Sequence, residues 1–457
     1  MTFSPLSRAQ SFGYAGGNFG KNIVANTLGY FLLIYITDVL GIDPNLAGII
    51  VLVALVVDAV LDPLIGCLSD RKHSPRFGKY GRYIVFGAPL CSLSFVAIFY
   101  LPLVSDSPVT TLLACLLLFR ASYTLIDLPH NALLSRISEN SRERAHLATL
   151  RFFFSSVGSL CVTVAAFQLF DSTTSLAQAT LFQQFSVFAA CCSLIAVWLS
   201  WYTVRKRDIC ASQGVLNLSQ QMQGLRFIFT DKHAIIILIA SFFCALTVPV
   251  FTKSFSYFCK YNLNDQSLIA EGLTLMVIAQ TVSTPAWSFL STRFEKHHTL
   301  IAAHGLSVLS MVYFLFLVTG DSTNFTVGCL LVGTAAGGLW SVIWGMAPDV
   351  IDKVNCETNI RSEAIFIAMV VVLMKVGHGL GATLLGYVLT QAGYVANAVQ
   401  NEAVLEAIRW VMFSFPAFGA IICVASLSQY RLGHARHEKI QAILQERRIL
   451  NNAVRAN

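Results

Sequence analysis

The sequence is poor in charge. Only 12% of its 457 residues are Asp, Glu, Lys or Arg, whereas 55% are hydrophobic. A soluble protein would carry about twice that charged fraction, which excludes a water-soluble chain of this length. The motifs HExxH and GxSxG are missing from its apolar runs, and its 12 cysteines form no CxxC or Cys/His spacing. The sequence therefore predicts neither an enzyme nor a metal site of the Cys/His type.

Long apolar segments dominate the chain instead. A helix needs about 20 apolar residues to cross a bilayer, and twelve such runs can be placed. The predicted spans are residues 21–41, 45–68, 83–103, 109–133, 146–170, 177–202, 234–255, 267–290, 299–319, 324–347, 363–389 and 405–428. We therefore predict an all-α membrane protein with twelve transmembrane helices. The N-terminal segment lacks the features of a signal peptide, so the first helix is expected to direct insertion.

Positive charge is distributed unevenly among the loops. Lys and Arg cluster after helices 2, 4 and 6 and in the C-terminal tail, and the loops after helices 1, 3, 5 and 9 have none. Because positive loops stay in the cytoplasm, both termini are predicted to be cytoplasmic. The basic segments are interpreted as topology signals and contacts to lipid headgroups, not as nucleic-acid sites.

The longest polar interval inside the helical region, residues 203–233, divides the helices into two sets of six. We predict an N-terminal six-helix bundle at 1–202, a cytoplasmic linker at 203–233, a C-terminal bundle at 234–428 and a basic cytoplasmic tail at 429–457. Weak similarity between the two sets predicts pseudo-two-fold symmetry. This layout is that of the major facilitator fold.

The turn after helix 2 is rich in glycine and charge. Its spacing resembles the loop that major facilitator transporters carry at this place, which implies a conformational switch; the alternative is a loop that only sets topology. The predicted switch residues are Gly66, Asp70, Arg71, Arg76, Gly78 and Arg82.

Two carboxylates lie in the middle of helix 2. A charge at mid-membrane costs about 2.5–3.5 kcal/mol and usually marks a pathway. Asp58 and Asp62 are four residues apart and share one helical face. They repel each other unless a cation, a shared proton or a lysine lies between them. We predict that the pair binds a cation or a proton, with a hydroxyl from Thr124 on helix 4.

Other charged residues fall inside predicted spans. Asp127 shares a face of helix 4 with Thr124, and Lys375 on helix 11 is the predicted counter-charge of the aspartate pair. Arg120 is expected either to extend to the membrane surface or to pair with a neighbouring carboxylate. Lys253 on helix 7 is expected to lie at the membrane interface.

Several short segments together indicate a family. They are KN at 21–22, DAVLDP at 58–63, YTLIDLP at 123–129, RFF at 151–153 and Lys375. They resemble the glycoside–pentoside–hexuronide:cation symporters, the melibiose-permease-like branch of the major facilitators, over residues 11–395. The resemblance implies symport of a sugar, glycoside or hexuronide by alternating access in a bacterial inner membrane. It implies no cofactor besides the coupling ion, H⁺ or Na⁺, and no protein partner.

The resemblance also implies roles for individual residues. The cation-coupling residues would be Asp58, Asp62, Thr124 and Lys375, with a possible Na⁺ at Asp58 and Asp62. The substrate-binding residues would be Lys21, Asn22, Tyr123, Asp127, Asn131, Arg151 and Trp340.

Four positions depart from the pattern of melibiose permease. Asn22 replaces a sugar-binding carboxylate and Asn131 replaces a stacking aromatic, which disfavours a galactoside. Leu61 replaces an amide between the paired carboxylates, and Leu55 replaces an arginine one turn earlier. Because hard cations are held by six or more oxygens, the loss of one oxygen favours H⁺ over Na⁺. A lysolipid cargo and a facilitator without coupling are the alternatives.

Overall fold

The computed structural model describes residues 6–71, 77–78, 80–137, 141–170, 175–207, 228–318, 322–358 and 363–456. In these residues twelve helices are long and apolar enough to cross a membrane. The predicted all-α architecture with twelve spans is confirmed.

The first six helices form one packed group. They are α1 (Arg8–Ile34), α2 (Pro44–Arg71), α3 (Gly81–Val104), α4 (Pro108–Ile137), α5 (Ser141–Leu169) and α6 (Ser175–Val204). Helix α1 packs against α5 and α6, α3 packs against α4 and α6, and α2 packs against α4. The polar faces of α1, α2, α4 and α5 are thereby brought to one region.

The rest of the chain supplies seven further helices among the described residues. They are α7 (Lys232–Tyr257), α8 (Ser267–Arg293), α9 (Lys296–Leu317), α10 (Ser322–Thr358), α11 (Glu363–Ala392), α12 (Glu402–Leu427) and α13 (His434–Ala456). Helix α13 is formed by the basic tail and packs against α10. It buries Ile440 and Leu444, and Arg447 Nη1 donates to the Cys356 carbonyl at 2.9 Å. The tail is therefore docked on α10.

The chain divides into two compact units. Unit 1 comprises Met1–Gln213, Pro249–Val277 and His378–Met412, so it combines α1–α6 with parts of α7, α8, α11 and α12. Unit 2 comprises Gly214–Val248, Ile278–Gly377 and Phe413–Asn457. Its core is built mainly from buried aliphatic side chains of α7 and α10.

Helix α1 begins earlier than the apolar pattern indicates. The predicted span starts at residue 21, but the helix starts at Arg8 with a capping box: the Ser7 hydroxyl accepts from the Gln10 amide, and the Gln10 side chain accepts from the Ser7 amide. Glycines and polar residues before position 21 hide this start from a hydropathy count. Lys21 and Asn22 consequently lie well inside the helix.

Helices α1 and α7 both end in a π-helical turn, Tyr35–Val39 and Phe258–Asn262. The closing hydrogen bonds match: Leu40 N donates to Tyr35 O, and Leu263 N to Phe258 O, both at 3.1 Å. The first and seventh helices occupy equivalent places in a six-helix repeat. The shared ending therefore supports the predicted internal symmetry.

The predicted switch loop is described only in part. Outside the described residues lie Arg76 and the side chains at positions 66, 70 and 71. Gly78 has φ +78°, a left-handed conformation that favours glycine. Arg82 Nη2 donates to the Tyr83 hydroxyl at 2.5 Å. The role of the loop stays a prediction.

Candidate functional site

A polar stripe on α4 organises the centre of unit 1. Arg120, Thr124, Asp127 and Asn131 follow one another at intervals of four, three and four residues. This spacing places all four on one face of the helix, which continues without a break past Pro129. Each of the four contacts a side chain on another helix. We call these residues the α4 stripe.

The N-terminal half of the α4 stripe, Arg120 and Thr124, contacts the carboxylate pair of α2. The Thr124 hydroxyl donates to Asp58 Oδ1 at 2.7 Å and lies 3.2 Å from Asp62 Oδ1. Arg120 Nη1 lies 3.8 Å from Asp58 Oδ2. The structure therefore brings Asp58, Asp62 and Thr124 together, and Arg120 pairs with a carboxylate instead of extending to the membrane surface.

The two aspartates differ in their surroundings. The Asp58 side chain is 2% exposed and has both Thr124 and Arg120 as partners, whereas Asp62 is only partly buried. Thr124 carries a single hydroxyl hydrogen and two acceptor lone pairs. It can donate to one carboxylate only, so its second contact becomes a hydrogen bond when the other carboxyl group is protonated and donates to Oγ1. The series of hydrogen bonds from Asp62 through Thr124 to Asp58 can therefore hold one added proton.

The other half of the α4 stripe meets α1 and α5. Lys21 Nζ donates to Asp127 Oδ1 at 2.7 Å and to Asn131 Oδ1 at 3.0 Å. Asn131 Nδ2 donates to Asp127 Oδ2 at 3.1 Å, and Arg151 donates to Asn131 Oδ1. Lys21 is 3% exposed but Asp127 is 32% exposed. This network holds the carboxylate in place while leaving part of it accessible.

Polar residues on α1 and α5 hold this network. Arg151 Nε donates to Asn18 Oδ1 at 3.2 Å, and the Asn18 and Asn22 amides both donate to the Ser155 hydroxyl at 3.1 and 3.0 Å. Asn18 and Ser155 were not predicted from the sequence. Both lie four residues from a predicted site residue, so helical spacing alone was the available signal.

Three further predicted residues are Tyr123, Trp340 and Lys375. Tyr123 is on α4 with its ring 5.7 Å from that of Phe119. Trp340 on α10 packs against the core of unit 2, and Lys375 on α11 is a partly buried residue of the same unit. The pairing of Lys375 with Asp58 and Asp62 stays a prediction.

Lys253 is 7% exposed. The helical segment continues to Asn262, so Lys253 lies about 14 Å from its end. Its place at the membrane interface stays a prediction. In the described part of the chain no carboxylate lies within 4 Å of it and no hydrogen bond reaches it.

A second buried carboxylate lies at the end of unit 1 where α1 ends. Asp38 is 3% exposed. It accepts from Lys260 Nζ at 2.5 Å, from the Tyr261 hydroxyl at 2.6 Å, and from the hydroxyls of Thr37 and Tyr394. We call these five residues the Asp38 clasp. It connects the π turn of α1 to that of α7 and to the segment after α11.

Sequence comparison identifies the family. Residues 13–434 match the family model "MFS/sugar transport protein". The chain belongs to this family. The match covers most of the sequence, and the relatives below are named as an importer, a transporter and a symporter. The predicted relationship to the glycoside–pentoside–hexuronide:cation symporters is therefore confirmed, and the protein is a membrane transporter and not an enzyme.

Three curated relatives cover nearly the whole chain. A putative sulfoquinovose importer of Salmonella typhimurium is 27% identical over 99% of this chain and 96% of the relative. An isoprimeverose transporter of Lactiplantibacillus pentosus is 24% identical over 98% and 93%. A sodium-dependent lysophosphatidylcholine symporter of Danio rerio is 24% identical over 98% and 91%. This transporter family therefore includes relatives named for sugars and relatives named for a lysolipid.

Solved structures support the fold. The nucleoside transporter NupG superposes with a TM-score of 0.65 at 13% identity, covering 92% of this chain and all of that one. The likeness concerns the fold alone, and it agrees with the major facilitator architecture predicted for this transporter.

One ion pair of the transporter lies just outside the membrane-spanning segments. Asp231 precedes α7, and its Oδ1 accepts from the amides of His233 and Ala234 at 3.0 and 2.9 Å. Burial acts to raise the pKa of Asp231, but hydrogen bonds from His233 and Lys353 outweigh burial and hold the pKa well below its usual value. The charged form of Asp231 therefore stabilises the start of α7.

Proposed function

We propose that the protein is a secondary active transporter that couples the entry of a cation to the uptake of a sugar, glycoside or hexuronide. One observation carries the proposal. The α4 stripe contacts the carboxylate pair of α2 at one end and the Lys21–Asp127–Asn131–Arg151 network at the other. A single helix therefore connects an ion site with a substrate site.

The substrate site is proposed to surround Asp127. Its partly exposed carboxylate accepts hydrogen bonds from sugar hydroxyls, and Arg151 and Lys21 donate to ring or hydroxyl oxygens. Such charge-assisted hydrogen bonds are about twice as strong as neutral ones. Asn22 and Asn131 take part through their amides, and Tyr123 offers a ring face.

The coupling ion is proposed to be H⁺, held at Asp62. Arg120 already balances much of the charge of Asp58, and the arrangement around Thr124 accommodates one proton between the two carboxyl groups. Position 61 supplies no oxygen because it is leucine. A proton needs one carboxylate, whereas Na⁺ needs a larger set of oxygens. Lys375 is proposed to take over as counter-charge when the proton leaves.

Transport is proposed to proceed by alternating access between the two predicted six-helix bundles, with both termini in the cytoplasm. Ion and substrate bind cooperatively because the α4 stripe connects their sites. A membrane potential of about 150 mV supplies about 3.5 kcal/mol per charge. Since about 1.4 kcal/mol corresponds to a factor of ten, this supports a gradient of roughly 300-fold.

A lysolipid is the second candidate cargo. A cleft of about 570 Å³ lies between α5 and α6, lined by apolar side chains such as Phe167, Phe185 and Phe188. An acyl chain would fit such a surface. The charged network around Asp127 suits a polyhydroxylated ligand better, so we place the sugar first.

The test is uptake into membrane vesicles with a panel of sugars, glycosides, uronides and lysolipids. Gradients of H⁺ and of Na⁺ are imposed separately. The proposal expects accumulation of a sugar-type substrate driven by the pH gradient. Accumulation of lysolipids alone, or uptake that never exceeds equilibrium under either gradient, would refute it.

A further inference from the structure

Tyr14 is a buried residue of α1 that lies beside the network around Asp127. It is 0% exposed. The Arg151 guanidinium carbon lies 5.8 Å from the centre of the Tyr14 ring. A guanidinium group within about 6 Å of an aromatic ring is attracted to the ring face, and the attraction grows when water is excluded. The ring of Tyr14 therefore gives Arg151 a favourable contact surface on α1.

The Tyr14 side chain is itself held in place by α4. Its hydroxyl donates to the His130 carbonyl at 2.9 Å, and its ring stacks on the His130 imidazole with the ring centres 4.8 Å apart. His130 is also 0% exposed. The next residue along α4 is Asn131, which accepts from both Lys21 and Arg151. Tyr14 therefore connects α1 to α4 beside the residue that joins the two cations of the network.

Helix α6 holds the backbone of Tyr14. The Ser200 hydroxyl donates to the Tyr14 carbonyl at 2.8 Å and lies 2.8 Å from His130 Nε2. Because its single hydrogen goes to the carbonyl, the Ser200 oxygen accepts from Nε2. Gly17 permits this close approach, since a Cβ there would lie 2.6 Å from His130 Nε2 and 2.7 Å from Ser200 Oγ. Contacts from α4 and α6 thus fix the position of Tyr14.

Arg151 needs such support because its side chain is long and loses much rotamer freedom when it is held in one place. Of its five N–H donors, Nε donates to Asn18 and one N–H of Nη2 donates to Asn131 among the described residues. The other donors can then bind substrate oxygens. A contact with a ring face restrains the guanidinium group without using a donor, whereas a further hydrogen bond would use one.

We propose that Tyr14 is a positioning residue of the substrate site. Its ring holds the Arg151 guanidinium beside Asn131, in the orientation that donates to the sugar, and His130 and Ser200 act by holding Tyr14. The inference rests on the proposed sugar symport and adds to it a residue that the family resemblance does not name.

Tyr35 offers a matched control in the π-helical turn at the end of α1. It is likewise 0% exposed, and its hydroxyl donates to a backbone carbonyl, that of Phe99, at 3.2 Å. Its ring packs against Phe99 and Phe182, neither of which belongs to the substrate site. Loss of the Tyr35 ring should therefore cost stability alone, whereas loss of the Tyr14 ring should also cost affinity.

The test measures sugar binding to the purified full-length protein by isothermal titration, and Tm by scanning fluorimetry. The probes are D-xylose, D-glucose, their methyl β-glycosides and D-glucuronate, and the variants are titrated with the probe that the wild type binds most tightly. The variants are Tyr14→Leu, Tyr14→Phe and Tyr35→Leu, and Tyr14→Leu is also combined with Arg151→Gln. Tyr14→Met removes the ring with less loss of volume and replaces Tyr14→Leu if that variant does not fold.

We expect Tyr14→Leu to raise the Kd roughly five- to tenfold. Tyr14→Phe should keep most of the affinity because the ring remains beside Arg151. Tyr35→Leu should lower Tm and leave the Kd within twofold of the wild type. Because Tyr14 acts through Arg151, Tyr14→Leu should change the Kd less than twofold in the Arg151→Gln background.

A fall in Tm without a change in Kd for Tyr14→Leu would overturn the positioning role and leave the proposed sugar transport intact. An equal rise in Kd in the wild-type and Arg151→Gln backgrounds would also overturn it, since Tyr14 would then act independently of Arg151. Failure of the wild type to bind any of the probes would instead count against the proposed function itself.

Discussion

Two regions of unit 1 each contain a buried aspartate beside a basic side chain, but they differ in how completely their polar groups are hydrogen-bonded. In the Asp38 clasp one buried carboxylate receives hydrogen bonds from a lysine and three hydroxyls. Around Arg120, by contrast, the partly buried guanidinium lies 3.8 Å from Asp58, and its Nε–H has no hydrogen-bond partner among the described residues. The clasp is saturated and holds helices together, whereas the Arg120 region keeps donors available.

The largest expected effect is at the ion-coupling end of the α4 stripe. Asp62→Asn cannot take up the coupling proton, so uphill accumulation should be abolished while substrate binding or exchange persists. Uptake against a gradient in proteoliposomes, compared with counterflow, measures the two activities. Thr124→Val provides a milder comparison because it removes the connecting hydroxyl and keeps the carboxylates. Undiminished accumulation in Asp62→Asn would contradict the assignment.

Substitutions in the Asp38 clasp should lower the stability of the protein and leave substrate binding largely unchanged. Lys260→Met leaves Asp38 buried without its cation, and breaking a buried pair costs about 3–5 kcal/mol. We expect a clear fall in Tm, measured by scanning fluorimetry in detergent. The double variant Asp38→Asn with Lys260→Met should recover part of the loss. Substrate affinity should change little, and a selective loss of affinity at unchanged Tm would mean that the clasp belongs to the binding site.

The substrate end of the α4 stripe should show a loss of binding that the clasp does not show. Asp127→Asn weakens its hydrogen bonds to sugar hydroxyls, and a hydrogen bond to a charged group contributes about 1.5–3 kcal/mol. We expect the Kd to rise roughly 10- to 100-fold, together with a fall in Tm because the buried Lys21 loses its counter-charge. Binding titration with any sugar that the wild type accumulates provides the measurement. An unchanged Kd would remove Asp127 from the site.

A smaller effect is expected at Asp231, outside the membrane. Its folded pKa lies below the unfolded value, so its charge stabilises the fold fully above the unfolded pKa of about 4. The contribution falls as pH drops below that value. Asp231→Asn should lower Tm modestly at pH 7, and the difference from wild type should shrink towards pH 3. A difference independent of pH would show that the ion pair with Lys353 is not its source.

The sequence was sufficient for the twelve-helix architecture because the length of an apolar run is a local property. The pairing of Asp58 with Asp62 was also predictable, since helical spacing places both on one face of α2, and the place of Thr124 beside them was implied by the family resemblance. The start of α1 was missed because its first turns are polar and rich in glycine. The contact of Arg120 with Asp58 depends on how α2 packs against α4, which no spacing reveals.

Two further residues show where span prediction fails. Asp38 lies inside the predicted span 21–41, so a charged residue in a span was a signal that went unused. Lys253 lies near the end of the predicted span 234–255, and the interface was the natural assignment. The helix continues through an additional π turn to Asn262. Depth in the membrane therefore depends on the true helix end, which hydropathy does not determine.

The most direct test is cation flux during sugar-driven transport. Purified protein is reconstituted into liposomes that contain a pH-sensitive dye, and an outward-to-inward sugar gradient is applied at zero Na⁺. The account predicts internal acidification with the wild type and none with Asp62→Asn, although that variant still binds the sugar. Acidification of equal size in Asp62→Asn, or entry of sugar through the wild type without internal acidification, would contradict proton coupling through the α2–α4 carboxylate pair.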